Sequence, residues 1–307
     1  MEHARHVIIH YHIFKNAGTA VASALARNFK TSFASFDANH YNVRLWPHQL
    51  ADFLEAHPDI AAISSHHLRP PAPALPDTIF HEILVLRNPL DRIRSMYDFY
   101  RQTAVNDDPL TVEAKRRSLA DFLEYLVETA PNLLSNAQVN LVANGGARIP
   151  DRNDFSRAVQ ILTSIDAIGV VEELETCLLV AETKLRCNFP FLDLSFAREN
   201  VSRGRAKQIS SRLQLFANAC GDALYHKLVS LNQLDSELAN LAALECQRRL
   251  QSIPSAERDL QNFRKRVARR DLTYRIHQGG SRIRRIWKVA AKLINPRASD
   301  PRIKPGP

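Results

Sequence analysis

The sequence predicts a three-layer α/β fold, built on a central, mainly parallel sheet and followed by a helical C-terminal extension. Three observations carry that expectation. Short apolar runs alternate with segments of helical period, the pattern of strands buried on both faces and joined by helices. The first apolar run empties into a glycine-bearing turn and then into small and apolar residues at helical spacing. From Ser210 onward the pattern is helical and polar.

Taken in order, the runs Val7 to Phe14, Ile60 to Ser64, Ile79 to Leu86 and Ala167 to Val171 read as strands. Helical periodicity predicts helices from Gly18 to Phe29, Pro47 to Ala56, Leu90 to Tyr100, Leu119 to Thr129 and Glu173 to Leu185. Leu90 follows Pro89, whose fixed φ suits a first helical turn. The stretch "LRPPAPALPDT" reads as an irregular loop able to rim a site. Near the end, "SRLQLFANACGDALYHKLVSLN" is the clearest amphipathic piece. These features divide the chain into a core over 1–209, a helical part packed on it over 210–263, and a basic tail over 264–307.

Composition narrows the class. A chain of 307 residues with 45% hydrophobic content can bury one large α/β core. Cys177, Cys187, Cys220 and Cys246 lack the close spacing of a zinc site and the density of a disulfide scaffold, so they read as free thiols of a reducing compartment. No signal peptide is visible, and no run reaches the roughly 18 apolar residues of a membrane span. The net charge of +9 is uneven: 14 Lys and Arg against 2 Asp and Glu lie from Arg264 onward, leaving 27 basic against 30 acidic residues before it. The core is therefore near neutral, and the basic balance does not by itself argue for nucleic acid.

The chemistry begins in "HVIIHYHIFKNAGTAVASAL", where Lys15, Asn16, Ala17, Gly18, Thr19 and Ala20 join a strand to a helix. Backbone N–H groups converge at such a junction, which makes it P-loop-like and suited to an anion. It is not the G-x-x-x-x-G-K-[ST] nucleoside-triphosphate loop, because Lys15 precedes the glycine, and the dinucleotide fingerprint G-x-G-x-x-G is absent. A second junction, "ILVLRNPLDRIRSMYDFY", places Arg87 at a strand end and Ser95 two turns into the next helix, where both can contact one phosphate. An Arg87–Asp91 ion pair is the other reading of that arginine. Two anion sites on neighbouring strand ends suit a ligand with two separated anionic groups.

These stretches resemble the sulfotransferases that use 3′-phosphoadenosine 5′-phosphosulfate (PAPS), in the carbohydrate and membrane-associated branch. "HIFKNAGTAVASAL" is similar to that branch's 5′-phosphosulfate loop, usually close to H-I-P-K-x-G/A-G-T-S, with Phe14 in place of the common proline and Ala20 in place of a hydroxyl residue. "LRNPLDRIRSMYDFY" resembles its 3′-phosphate motif. "SNAQVNLVANG", "AIGVVEELETCLLV" and "FARENVSRGR" resemble its Asn-x-Gln segment, its Gly-x-x-Glu turn and its late Asn-x-Ser/Thr segment.

The resemblance implies PAPS as donor, PAP (3′-phosphoadenosine 5′-phosphate) as product, no metal, and a carbohydrate or glycolipid hydroxyl as acceptor. It assigns Lys15 to the leaving phosphate, the loop from Lys15 to Ala20 to the 5′-phosphate, Arg87 and Ser95 to the 3′-phosphate, and Asn200 and Ser202 to further nucleotide contact. In "AAISSHHLRPP" it points to His66 as general base, with His67 as second choice. His10 and His12 share a strand face and read as sheet-packing residues, and Glu172 reads as a helix cap.

The tail stretch "SRIRRIWKVAAKLI" combines an apolar stripe with basic residues, so it can lie on an anionic membrane surface or pack on the domain. Specific nucleic-acid binding is not expected. The location that fits is cytoplasmic, with peripheral attachment at the inner membrane face. A nucleotide-dependent kinase and a non-catalytic anion- or membrane-binding module are the competing classes.

Overall fold

The computed structural model describes residues 4–38, 44–104, 108–143, 148–198, 206 and 208–294, with side chains to residue 277. Five strands, β1 (Arg5–Tyr11), β2 (Phe33–Ser35), β3 (Ala62–Ser65), β4 (Thr78–Leu86) and β5 (Ala167–Val170), form one parallel sheet in the order β2-β3-β1-β4-β5. The α/β class read from the sequence is therefore the class of the structure. Strand β1 is central, in register with β3 through Ile8 opposite Ala62 and with β4 through His10 opposite Ile83.

The period of two along β1 sorts its side chains between two cores. Val7, Ile9 and Tyr11 face one side, against α2 (Pro47–Ala56), α6 (Ala137–Ala143), α7 (Arg152–Ser164) and α11 (Gln233–Gln251). Ile8 faces the other, against α1 (Gly18–Phe29), α8 (Leu174–Leu185) and the start of α12 (Ala256–Ile294). A third apolar cluster joins α3 (Pro89–Gln102), α4 (Pro109–Arg116), α5 (Leu119–Thr129), α9 (Ile209–Cys220) and α10 (Asp222–Leu231).

Several boundaries differ from the sequence reading for local reasons. The first strand stops at Tyr11 rather than Phe14, because the chain turns with Ile13 N donating to Tyr11 O. Strand β2 is only three residues long, too short to show a period. The amphipathic stretch near the C-terminus is broken into α9 and α10 at Gly221, whose φ of 76° is left-handed backbone that a glycine adopts without strain.

Helix α12 runs through residue 264, where the basic tail was expected to begin, and its first part is tied to the core. Phe263 and Val267 are buried, Arg266 Nη2 donates to Glu182 Oε1 at 2.6 Å, and Asp271 accepts from Arg198 at 2.8 Å. No helix among the described residues is long and apolar enough to cross a membrane.

Candidate active site

The sheet order places the chain's direction change beside β1: the connection after β1 leads toward β2 and β3, while that after β4 leads toward β5. Ligands of open α/β sheets bind at such a point, beyond the carboxyl ends of the strands. The two junctions singled out in the sequence, after β1 and after β4, meet there.

The loop after β1 is shaped by two left-handed residues, Lys15 with φ 67° and Ala17 with φ 58°. Alternation of left- and right-handed residues curls successive N–H groups toward one point. Ala17 is the N-cap of α1 and offers no side-chain cap to the first N–H groups of that helix, of which Ala20 N donates to Ala17 O at 3.0 Å. A Cβ built on Gly18 would lie 1.8 Å from Cδ2 of His12, so a glycine is required where this ring packs. The Lys15 ammonium lies over Phe99, 4.7 Å from the ring centroid, and 5.6 Å from that of Phe14. Thr19 and Ala20 follow in the first turn of α1, with Thr19 exposed and Ala20 buried.

Asn16 and Gln138 bind the two junctions together. The buried Asn16 amide donates to Val85 O at 2.9 Å and to Gln138 Oε1 at 2.7 Å. Gln138 Oε1 also accepts from Arg87 N, and its Nε2 donates to Arg87 O at 2.8 Å. Gln138 is held in turn by Asp235, whose carboxylate accepts from the N–H groups of Gln138 and Val139 at the start of α6. Burial raises the Asp235 pKa, while Arg92 and these donors oppose the rise.

At the end of β4, Arg87 is buried and its guanidinium is engaged: Nε and Nη2 donate to Asp91 Oδ2 at 3.0 and 2.8 Å, and Nη1 donates to Lys15 O at 2.6 Å. The Arg87–Asp91 pair, the second reading of this arginine, is thus formed. Arg212 of α9 reaches the other oxygen of Asp91 at 2.9 Å. Asn88 caps α3 by accepting from Leu90 N and Asp91 N. Ser95 is half-buried one turn beyond Asp91, on the same helix face. Arg92 instead turns inward, donating to Leu133 O, and Arg94 pairs with Asp98. Glu172, in the 3₁₀ turn before α8, accepts from Asn88 N at 3.2 Å, and burial raises its pKa. It braces the second junction as well as preceding a helix.

On the other side of β1, β3 ends in the histidine pair. His66 is half-buried and its ring lies 3.7 Å, centroid to centroid, from that of His12. His67 is buried, with Nδ1 3.1 Å from Asp37 Oδ1. Asp37 also accepts from His66 N at 2.6 Å and from Ser65 Oγ at 3.3 Å, which fixes the turn that presents His66. The structure therefore brings His66 toward the loop after β1, against His12, and turns His67 into the Asp37 carboxylate.

His10 packs in the sheet, bonded to Ser64 Oγ at 2.9 Å, and His12 follows on the same face, its ring stacked 5.4 Å from that of His10 and its N donating to Ser65 O at 2.9 Å. Beyond the sequence reading, the His12 ring also lies between Gly18 and His66. Burial is the main cause that holds both neutral: the His10 pKa falls well below its usual value and that of His12 is pushed down to about 3, with His66 adding to each effect. Burial likewise lowers His66, partly opposed by Asp37 and by a bond with the His12 backbone. A neutral imidazole at pH 7 can accept a proton.

His12, Asp37, Gln138, Asp91 and Arg212 were not among the residues the sequence singled out as site residues. The Asn-x-Gln stretch pointed to Gln138, and the four-residue spacing pointed to Asp91. Asn200 and Ser202 lie outside the described residues. No group of three or more potential metal ligands occurs among the described residues.

No family model matches this sequence. It is similar to an uncharacterized protein of Archaeoglobus fulgidus, 28% identical over 249 residues, which covers 76% of this chain and 94% of that protein. The likeness spans an extended unit rather than one motif.

Proposed function

We propose that the protein is a PAPS-dependent sulfotransferase acting on a hydroxyl of a carbohydrate or glycolipid. The observation that supports the reading is the meeting of two strand-to-helix junctions at one point of the sheet: the curled loop with Lys15 after β1 and Arg87 after β4, joined through Arg87 Nη1 and Lys15 O. The residues present fit a bisphosphorylated donor, since the loop N–H groups and Lys15 supply donors at one place and the Ser95 hydroxyl at another, beside the Arg87–Asp91 pair, and Gly18 leaves room for the His12 ring against the loop.

When bound, PAPS supplies an activated sulfuryl group on a phosphate leaving group. Lys15 and the N–H groups from Ala17 to Thr19 stabilise the charge that grows on the departing phosphate oxygen. Arg87 holds the loop at the Lys15 carbonyl and lends positive charge beside Ser95 for the 3′-phosphate. His66, neutral and held by Asp37, takes the acceptor hydroxyl proton. His12 closes the space between His66 and Gly18, which limits water at the reacting centre. Membrane attachment through the basic end of α12 and a cytoplasmic location belong to the same proposal.

The test is release of PAP from PAPS in the presence of a panel of glycan acceptors. Acceptor-dependent release that falls about 100-fold or more in Lys15→Ala and in His66→Ala supports the reading. Turnover of ATP with magnesium by protein that leaves PAPS intact contradicts it.

A further inference from the structure

Past the histidine pair, the sheet is extended by a short parallel bridge in which Leu45 lies opposite Leu68, with Leu45 N donating to His67 O at 3.1 Å. Both leucines are buried in the core, and the parallel bridge sets their chain neighbours Trp46 and Arg69 side by side, with Arg44 next to Leu45. Arg44 stacks on the Trp46 ring, 5.1 Å from its centroid, and Trp46 is 47% exposed. Arg69 lines a small cavity of about 10 Å³ together with Tyr11 and His12.

Arg69 makes its bonds through Nη1 alone, to His66 O at 2.7 Å and Leu68 O at 2.8 Å, both backbone carbonyls. No acidic side chain among the described residues pairs with it. Burial and the nearby charge of Arg44 press its pKa down to about 10. Asp37, which packs under the same turn, is occupied by His66 N, His67 and Ser65. Two guanidinium groups without a carboxylate, one of them largely desolvated, call for an anion from outside the chain.

The geometry points to an acceptor subsite for a negatively charged sugar: Arg69 and Arg44 bind a fixed anionic group of the acceptor, and the exposed Trp46 ring carries a sugar face. The bond from Arg69 to the His66 carbonyl places that subsite one residue from the proposed base, so the reacting hydroxyl lies on a sugar near the charged one. This inference rests on the sulfotransferase reading for its acceptor role and on the arginine pair for its charge preference.

The experiment measures binding of two matched pairs to the full chain with and without saturating PAP: a uronic-acid oligosaccharide with its carboxyl-reduced form, and a hexose 6-phosphate with the free hexose. The expected result is that the charged member of at least one pair binds roughly tenfold or more tightly. Arg69→Gln and Arg44→Gln should each shrink that preference while leaving PAP affinity unchanged, and Arg69→Lys should restore part of it. Equal binding within both pairs, or a preference untouched by either Gln variant, overturns the subsite even where PAP binds normally. An arginine-dependent preference in protein that fails to bind PAP keeps the anionic-sugar site and removes the sulfotransferase reading.

Discussion

Arg87 Nη1 donates to the carbonyl oxygen of Lys15 at 2.6 Å, so the residue just past β4 holds the backbone of the loop that follows β1. The same guanidinium is locked by Asp91, with side chains 4% and 2% exposed. Removing one partner of a buried pair leaves the other charge unsatisfied, at a cost of about 3–5 kcal/mol. Arg87→Ala should destabilise the fold by about that amount in urea titration, and Arg87→Ala/Asp91→Ala by less than the sum of the single changes. Additive losses would mean that the pair does not act as a unit.

Gln138 is the second link between the junctions, bonding Asn16 and both backbone groups of Arg87. Gln138→Ala strips partners from buried polar groups and should cost about 2–3 kcal/mol. Because the two junctions proposed to bind the nucleotide then lose their brace, PAP affinity should fall with stability. A stability loss with unchanged PAP affinity would limit Gln138 to packing.

Gly18→Ala forces a Cβ into the His12 ring. We expect lower thermal stability and weaker PAP binding. His12→Ala in the same chain should return much of the stability, since the clash is with that ring. If the double variant melts no higher than Gly18→Ala, the close approach is not the reason for glycine.

His10 and His12 both have pKa values depressed by burial, that of His12 to about 3. The unfolded chain takes up protons near pH 6.5 that the native state refuses, so stability is full above pH 6.5 and declines as pH falls below it. Each histidine contributes a slope of about 1.4 kcal/mol per pH unit in that range. Denaturation between pH 7 and 4.5 should show the decline, and His12→Gln should flatten it. A flat profile in the native chain would contradict the burial of neutral rings.

The layers were legible because strands buried on both faces produce long apolar runs, and the helices α1, α2 and α5 have their predicted bounds. Lys15, Arg87 and His66 were readable as residues at strand ends. Asp37 was hidden because it follows β2, too short to leave a pattern. The shared face of His10 and His12 was legible from strand alternation, but the contacts of His12 with His66 and Gly18 come from separate chain segments and leave no local pattern. The role of Gln138 depends on contacts with residues 51 and 122 positions away, which no local spacing encodes.

The most direct measurement is calorimetric titration of the full chain with PAP, beside ATP with and without magnesium, repeated with Lys15→Ala and Ser95→Ala. The account predicts metal-independent PAP binding, preferred over ATP and weakened about tenfold by loss of either side chain. Preference for ATP with magnesium, or PAP binding indifferent to both substitutions, would contradict it.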